Sequence, residues 1–295
     1  MNITNECIPC LALQATELAR STPEDSLLQQ QVLRAALGEL AKLSLAQTPP
    51  EIAHRMHQAA RCVTTIPDPY QALKATYNAV ASGLAGALRR EQRVESSADP
   101  FDTACRLAIA GNIIDFGAGL DLRHGDVLRS VEEGLSQPLF GTGSRALREA
   151  ADGAKDILYL ADNAGEIVFD RFLVELLPPG RVTLVVKGGP IVNDATMEDA
   201  LAAGFPAWVR VMDNGHDAQG TLLPACSQAF REAFDQADLI ISKGQANFET
   251  LSGVPGKQIF FLLRAKCQPV ADALGCARMA FVLTDQAGRS ENPAR

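Results

Sequence analysis

Six short apolar runs in the second half of the chain constrain its fold more than any other feature. Beginning at Asp156, the runs are DILYLA, RVTLVV, AWVRVM, DLIIS, QIFFLL and MAFVL. Each run is too short for a typical helix and is bounded by turn residues, Pro or Gly. Continuous apolar strands that alternate with helical segments are typical of a parallel sheet covered on both faces. The sequence therefore predicts an α/β fold with a mainly parallel sheet flanked by helices.

The first third of the chain has a helical period instead. Apolar residues recur at steps of three and four in CIPCLALQATELARS, and the Pro-Pro-Glu sequence at 49–51 suits the first turn of another helix. No strand signal interrupts this part of the sequence. We therefore predict four segments, which are an all-helical cap or bundle over 1–97, a helical bridge over 98–155, an α/β catalytic domain over 156–285 and a flexible tail over 286–295.

Charge and hydropathy argue against two classes of partner. The chain has 27 Lys and Arg against 35 Asp and Glu, a net charge of −8, and no local basic cluster. Nucleic acids are held mainly by cationic side chains, so we expect no nucleic-acid partner. No apolar run reaches the roughly 18 to 20 residues that span a bilayer, and the first residues lack a signal core. We therefore expect a cytoplasmic protein that does not bind membranes.

Polar side chains follow five successive predicted strands. In an open parallel sheet, ligands bind beyond the carboxyl ends of the strands, so these side chains are expected to share one edge. The polar residues that carry the argument are Asp162, Asn163 and Glu166 after the first strand, Lys187 and Asp194 after the second, Asp213 after the third, Lys243 after the fourth and Lys266 after the fifth.

The residue types at this edge predict phosphate chemistry. Asp162, Asn163 and Asp194 are hard oxygen donors of the kind that hold Mg²⁺ or Mn²⁺. Lys243 and Lys266 would neutralise an anion bound to that ion. A metal with nearby lysines stabilises a transferring phosphoryl group, and a metal-bound water is a nucleophile near neutral pH. The pattern predicts hydrolysis of a small-molecule phosphate ester.

A structural role for the same residues is the alternative. Asp162 or Asn163 would then only cap the next helix, with Glu166 completing a capping box, and Asp194 would cap the helix after it. A lysine after an apolar strand has no capping role, so Lys243 favours function.

Several motifs together resemble one known family. ADNAGEIVFD (161–170), KGGPIVNDATMEDA (187–200), SKGQANFETL (242–251), LLRAKC (262–267), AGNIIDFGA (110–118) and the N-terminal CIPC are similar to the damage-control phosphatases, also called domain of unknown function 89. The closest similarity is to the stand-alone prokaryotic subfamily with an N-terminal CxxC. The resemblance implies a helical portion packed on a Rossmann-like sheet and a metal-dependent phosphatase for small phosphometabolites, including damaged or surplus ones.

The resemblance also implies roles for particular residues. Asp162, Asn163 and Asp194 would hold a divalent ion, Mn²⁺, Ni²⁺, Co²⁺ or Mg²⁺, and Lys243 would contact the phosphate. Further substrate contacts are expected from Lys266 and from two residues of the GNIIDFG motif, Asn112 and Asp115, for which a helix cap and a buried amide are the alternative. Beside the resemblance, Asp213 and Asp217 are expected to support the metal-bound water or bind the leaving group, and Asp213 or Glu166 to orient the attacking water.

Two cysteines suggest a second site, whereas two histidines do not. Cys7 and Cys10 lie one helical turn apart and would hold a metal or form a redox pair, with Cys267 as the expected third member. Thiols that merely fill a helix interface are the alternative. His54 and His57 lack a partner motif, which favours packing or solvent exposure over metal binding.

Two other functions are consistent with this sequence. Rossmann-like sheets also bind S-adenosylmethionine, which allows a carboxyl methyltransferase, but the first strand is followed by DNAGE rather than a glycine-rich loop. The remaining alternative is a non-catalytic sensor that binds a phosphometabolite or a metal.

Overall fold

Five helices form the first part of the chain. The computed structural model describes residues 1–22, 25–64, 66–111, 132 and 134–286. The helices begin where the sequence offers caps, since the Asp25 carboxylate accepts from two first-turn amides and Thr48 forms a capping box with Glu51. They are α1 (Cys7–Arg20), α2 (Ser26–Leu40), α3 (Pro49–Arg61), α4 (Gln71–Arg90) and α5 (Pro100–Ala110).

The second part alternates strands with helices, as predicted. The strands are β1 (Leu139–Phe140), β2 (Ile157–Leu160), β3 (Val182–Val186), β4 (Arg210–Asp213), β5 (Leu239–Lys243), β6 (Ile259–Arg264) and β7 (Phe281–Asp285). The helices are α6 (Gly143–Gly153), α7 (Glu166–Val174), α8 (Met197–Ala203), α9 (Gln228–Gln236), α10 (Gln245–Leu251) and α11 (Gln268–Leu274), with a 3₁₀ turn at Leu223–Ala225.

One seven-stranded sheet organises these elements in the order β1-β7-β6-β5-β2-β3-β4. The strands from β6 to β4 pair in parallel, which confirms the mainly parallel α/β sheet. The final strand, β7, runs antiparallel to β6 and pairs in parallel with the short β1. All six apolar runs are strands, while β1 adds a seventh that the sequence did not predict.

The helical part has two packing roles. Helices α1, α2 and α3 share their own apolar core, which includes Leu11, Ala36 and Ile52. Helix α4 instead buries Tyr77 and Leu84 in the core beneath the sheet. The domain boundary at residue 97 stays a prediction. Among the described residues, no helix combines the length and apolar character needed to cross a bilayer.

A buried glutamate on α10 makes stability depend on pH. Burial raises the pKa of Glu249 from its ordinary 4.5 to about 7, although Gln245 Nε2 donates to its Oε1 at 3.0 Å. A carboxyl whose folded pKa is raised destabilises the fold above that pKa, and the cost disappears as pH falls toward 4.5. We expect Glu249→Gln to stabilise the protein by up to about 3 kcal/mol at pH 8 and by much less at pH 5.

Urea unfolding at both pH values measures this difference. Glu232→Gln is the matched control, because Glu232 accepts from Gln228 at the same helical spacing, 2.8 Å away, on the exposed face of α9. The control should change stability equally at the two pH values. An equal effect of Glu249→Gln at pH 5 and pH 8 would show that ionisation of Glu249 does not cost stability.

Candidate functional site

The loops that follow β2 and β3 are joined through their main chains. Ala164 N donates to Asn193 O at 2.8 Å, and Ala195 N donates to Asp162 O at 2.8 Å. Asn163 and Asp194 form an isolated antiparallel bridge between these loops. The backbone therefore brings together the Asp162-Asn163 pair and Asp194, as the strand-end argument predicts.

The side chains of this edge form a buried acidic cluster. Asn163 Nδ2 donates to Asp162 Oδ2 at 3.0 Å and to Glu166 Oε2 at 3.1 Å. Burial, with added repulsion from Glu166 and Asp194, raises the pKa of Asp162 well above its ordinary value. Burial also raises the pKa of Asp194 to about 6, although Lys187 opposes this shift. Burial and the neighbouring carboxylates therefore disfavour the ionised forms of Asp162 and Asp194 when no further positive charge is present.

Asp194 also has an unsatisfied oxygen. Its Oδ2 is buried and accepts no hydrogen bond, while the Lys187 ammonium lies 3.4 Å away. Lys187 Nζ donates to the Gly220 carbonyl instead. The sequence placed Lys187 at the same sheet edge without a role, and the structure makes it a buried cation beside Asp194.

The turn after β5 approaches Asp162 very closely. Gly244 has φ = +81°, a conformation that favours glycine. A Cβ atom at this position would lie 1.8 Å from Asp162 Oδ2. Gly244 therefore allows the backbone after β5 to contact the Asp162 carboxylate.

Lys243 lies inside the protein, behind the cluster. It is fully buried and donates to Glu166 Oε1 at 2.5 Å, Asp170 Oδ1 at 2.6 Å and the Ala108 carbonyl at 2.8 Å. These two carboxylates raise the pKa of Lys243 above its ordinary value against the effect of burial. All three of its donors are used, so this arrangement differs from the predicted direct contact with a phosphate.

Asp170 is a member of this buried network that the sequence analysis missed. It accepts from Tyr159 Oη at 2.8 Å as well as from Lys243, and burial raises its pKa to about 6. A signal was present in the sequence, because Glu166 and Asp170 are acids four residues apart on a helix whose remaining residues, apart from Arg171, are apolar.

Asp213 is exposed outside the acidic cluster, whereas Lys266 is half-buried and acts on Asp162. Asp213 is exposed, and its Oδ1 accepts from Gly215 N in a local turn, which does not match the predicted contact with water or substrate. The buried residue of that loop is Asn214, whose Oδ1 accepts from the amides of Gly188 and His216. Lys266 is half-buried, and its charge lowers the pKa of Asp162.

The remaining predicted site residues are Asn112, Asp115 and three cysteines. Asn112 and Asp115 fall outside the described residues. Cys10 is exposed at the surface, but partial burial raises the pKa of its thiol, and the nearby Cys267, Glu249 and Cys7 raise it further, which places the three cysteines near one another. A function for this thiol group stays a prediction.

A second group of ligand-type side chains lies where α3 meets the loop after β4. His54, His216 and Asp217 each offer one ligand atom, and these atoms lie within 4.8 Å of one another. The sequence favours packing or solvent exposure for His54, because His54 and His57 lack a partner motif. The structure shows that His54 is buried but also faces a carboxylate.

Comparisons with known proteins agree with this architecture. Residues 3–282 match the damage-control phosphatase ARMT1-like domain. A damage-control phosphatase from Pyrococcus horikoshii is 35% identical over 286 residues, 96% of this chain and 97% of that protein. A damage-control phosphatase from Archaeoglobus fulgidus is 35% identical over 284 residues, 93% of this chain and 96% of that protein.

A solved structure supports the same assignment. The crystal structure of a DUF89 family protein from Pyrococcus horikoshii has a TM-score of 0.87 and 34% identity to this chain, and the similarity covers 96% of this chain and 98% of that one. Identity and coverage of this extent show that the chain belongs to the damage-control phosphatase ARMT1-like family.

Proposed function

We propose that this chain is a metal-dependent phosphatase that hydrolyses small phosphate esters of metabolism. Two relatives that match nearly the whole chain are named damage-control phosphatases, which supports the reaction class. The observation that carries the proposal is the main-chain pairing of the loops after β2 and β3, which holds two buried carboxylates and an amide together. Asp162, Asn163 and Asp194 are the proposed ligands of one divalent ion.

The donor set and its charge balance fit a divalent ion. Oxygen donors of this kind suit Mg²⁺ or Mn²⁺ and also accept Co²⁺ or Ni²⁺. The buried Asp194 Oδ2 accepts no hydrogen bond from the described residues, and a bound ion would interact with this oxygen. The cluster and its support contain four buried carboxylates but two buried lysines, a formal excess of two negative charges, from Asp162, Glu166, Asp170 and Asp194 against Lys187 and Lys243.

When bound, such an ion would polarise a phosphoryl oxygen and lower the pKa of a coordinated water. The protein's own groups would bind and orient the substrate. Lys266 is half-buried and carries positive charge near Asp162. We propose that its ammonium group contacts the phosphate oxygens of the substrate. Lys187 forms an ion pair with the Asp194 carboxylate.

Lys243 acts through Glu166 in this proposal. Its ammonium fixes Glu166 Oε1, and Glu166 Oε2 accepts from the Asn163 amide. The amide orientation at Asn163 therefore depends on a fully buried ion pair. We propose that Lys243 is a positioning residue and that the phosphate contact belongs to Lys266.

A phosphatase assay with controlled metal content tests the proposal. Chelator-treated protein should release almost no phosphate from p-nitrophenyl phosphate, and adding Mn²⁺, Co²⁺, Ni²⁺ or Mg²⁺ should restore turnover at least about 100-fold. Turnover that survives chelation, or no turnover with any of the four ions and a panel of sugar phosphates, would contradict it. Binding of S-adenosylmethionine in the latter case would favour the methyltransferase alternative.

A further inference from the structure

The group formed by His54, His216 and Asp217 has the chemistry of a second metal site. His54 projects from α3, while His216 and Asp217 belong to the loop after β4. The two imidazole rings have centroids 4.6 Å apart and are tilted by 45°. Two imidazoles with one carboxylate suit ions of borderline softness better than an oxygen-only set does.

We propose that His54, His216 and Asp217 bind one first-row transition-metal ion such as Zn²⁺, Co²⁺ or Ni²⁺. This site would be separate from Asp162, Asn163 and Asp194 and would join the N-terminal helices to the sheet domain. It goes beyond the proposed hydrolysis and does not depend on it.

His54 provides the first independent support. Its Nδ1 is buried and has no hydrogen-bond partner among the described residues, and the residue is only 9% exposed. Asp217 Oδ1 lies 3.7 Å from that nitrogen, which is too long for a hydrogen bond. Two ligands of a tetrahedral ion with bonds of about 2.1 Å lie about 3.4 Å apart, so the 3.7 Å spacing is close to that of two ligands of one ion.

The protonation state of the imidazoles also suits ligation. Burial lowers the pKa of His54 and that of His216 below their ordinary values. Both rings are therefore neutral near pH 7 and offer a lone pair. The three ligand atoms lie within 4.8 Å of one another, so up to about 1.4 Å of side-chain adjustment brings them to the roughly 3.4 Å spacing of a tetrahedral site.

Arg61 orients the carboxylate of this group. Arg61 Nη1 bonds to Asp217 Oδ2 while its Nη2 donates to the Pro190 carbonyl at 2.8 Å. Asp217 thus gives one oxygen to the guanidinium and turns the other toward His54. Groups that hold a ligand in this way usually tune metal affinity.

An ion here would affect the loop that leads to the acidic cluster. The His216 carbonyl accepts from Gly188 N at 2.9 Å, and Gly188 follows directly on Lys187. The ion would therefore tie α3 to both loops at this edge. We expect bound Zn²⁺ to raise the melting temperature of the full chain.

Titration of chelator-treated Asp194→Asn protein tests the inference, because this background weakens metal binding at the other proposed site. Calorimetry should detect one equivalent of Zn²⁺, and Co²⁺ should give absorption bands typical of imidazole ligation. Adding His216→Gln or His54→Gln should weaken the binding at least about tenfold and abolish the thermal shift. His216 is only half-buried, so His216→Gln is expected to fold and still tests the inference if His54→Gln does not fold.

His57→Gln in the same background is the matched control. His57 is a buried histidine on the same helix, but its Nε2 faces Gln14 at 3.3 Å and it is not one of the three ligands. This variant should bind Zn²⁺ unchanged. The inference fails if the Asp194→Asn protein binds no Zn²⁺, or if the His216 and His54 variants bind it as the control does. The proposed phosphatase function fails separately, if the unsubstituted protein releases no phosphate with any of the four ions; full turnover of Asp194→Asn protein would show only that Asp194 is not a ligand.

Discussion

Asp194→Asn should lower kcat for phosphate-ester hydrolysis by roughly 10²- to 10³-fold at saturating metal. The substitution removes a negative charge and replaces one carboxylate oxygen by an amide at a proposed ligand. Metal affinity should fall as well, because the remaining donors are a single carboxylate and an amide. The fold should persist, since the loop is held by main-chain hydrogen bonds and Lys187 keeps its bond to the Gly220 carbonyl.

Asp213→Asn is the matched control for this variant. Asp213 also follows a strand of the same sheet, but it is exposed and holds only the amide of Gly215. An asparagine can keep that turn bond, so turnover should remain within about twofold, as is usual for surface substitutions. Steady-state kinetics with circular dichroism melting should separate lost activity from lost structure. A folded Asp194→Asn enzyme with normal kcat would show that Asp194 is not a ligand.

Lys243→Met is expected to destabilise the protein by about 3–5 kcal/mol near neutral pH. The substitution leaves two fully buried carboxylates, Glu166 and Asp170, without their cation. Asp170 already has a pKa raised to about 6 by burial, and loss of the lysine should raise it further. A raised folded pKa costs stability above that pKa, so the destabilisation should be larger at pH 8 than at pH 5.5.

A double variant makes this explanation specific. Asp170→Asn in the Lys243→Met background removes one uncompensated charge and keeps the acceptor for Tyr159, so part of the lost stability should return. Lys257→Met is the control, because Lys257 donates only to helix-end carbonyls of Asp235 and Ala237 and should cost less than about 1 kcal/mol. Urea unfolding measures all three. A loss independent of pH, with no rescue, would contradict the role of the buried ion pair.

The strands and the acidic edge were predictable from sequence because both depend on local patterns. Short apolar runs followed directly by polar residues such as Asp162, Lys187 and Lys243 predict strand positions, and a parallel sheet brings such ends together. The two-residue β1 carries no periodic signal, so it was not predicted. The antiparallel direction of β7 depends on which neighbour it meets, which a run of apolar residues does not specify.

The roles of individual side chains depended on contacts between distant segments. Lys243 was placed correctly at a strand end, but its burial results from Ala108 and Asp170, which come from other elements. At the end of β4, a turn exposes Asp213 and buries Asn214, a difference of one residue that strand patterns do not resolve. His54 meets His216 only because α3 packs beside the loop after β4.

In the paired loops after β2 and β3, the spacing of the proposed ligands and the preference for one cation depend on different parts of the chain. Their register is set by peptide groups, through Ala164 to Asn193 and Ala195 to Asp162, and not by the donor side chains themselves. Exchanging a donor atom at Asn163 would therefore alter which cation is preferred while the distance between the two strands' ends stays constant. A softer donor would shift preference along the Irving–Williams order. At the proposed metal site the backbone would set the spacing of the ligands, and side-chain identity would set selectivity.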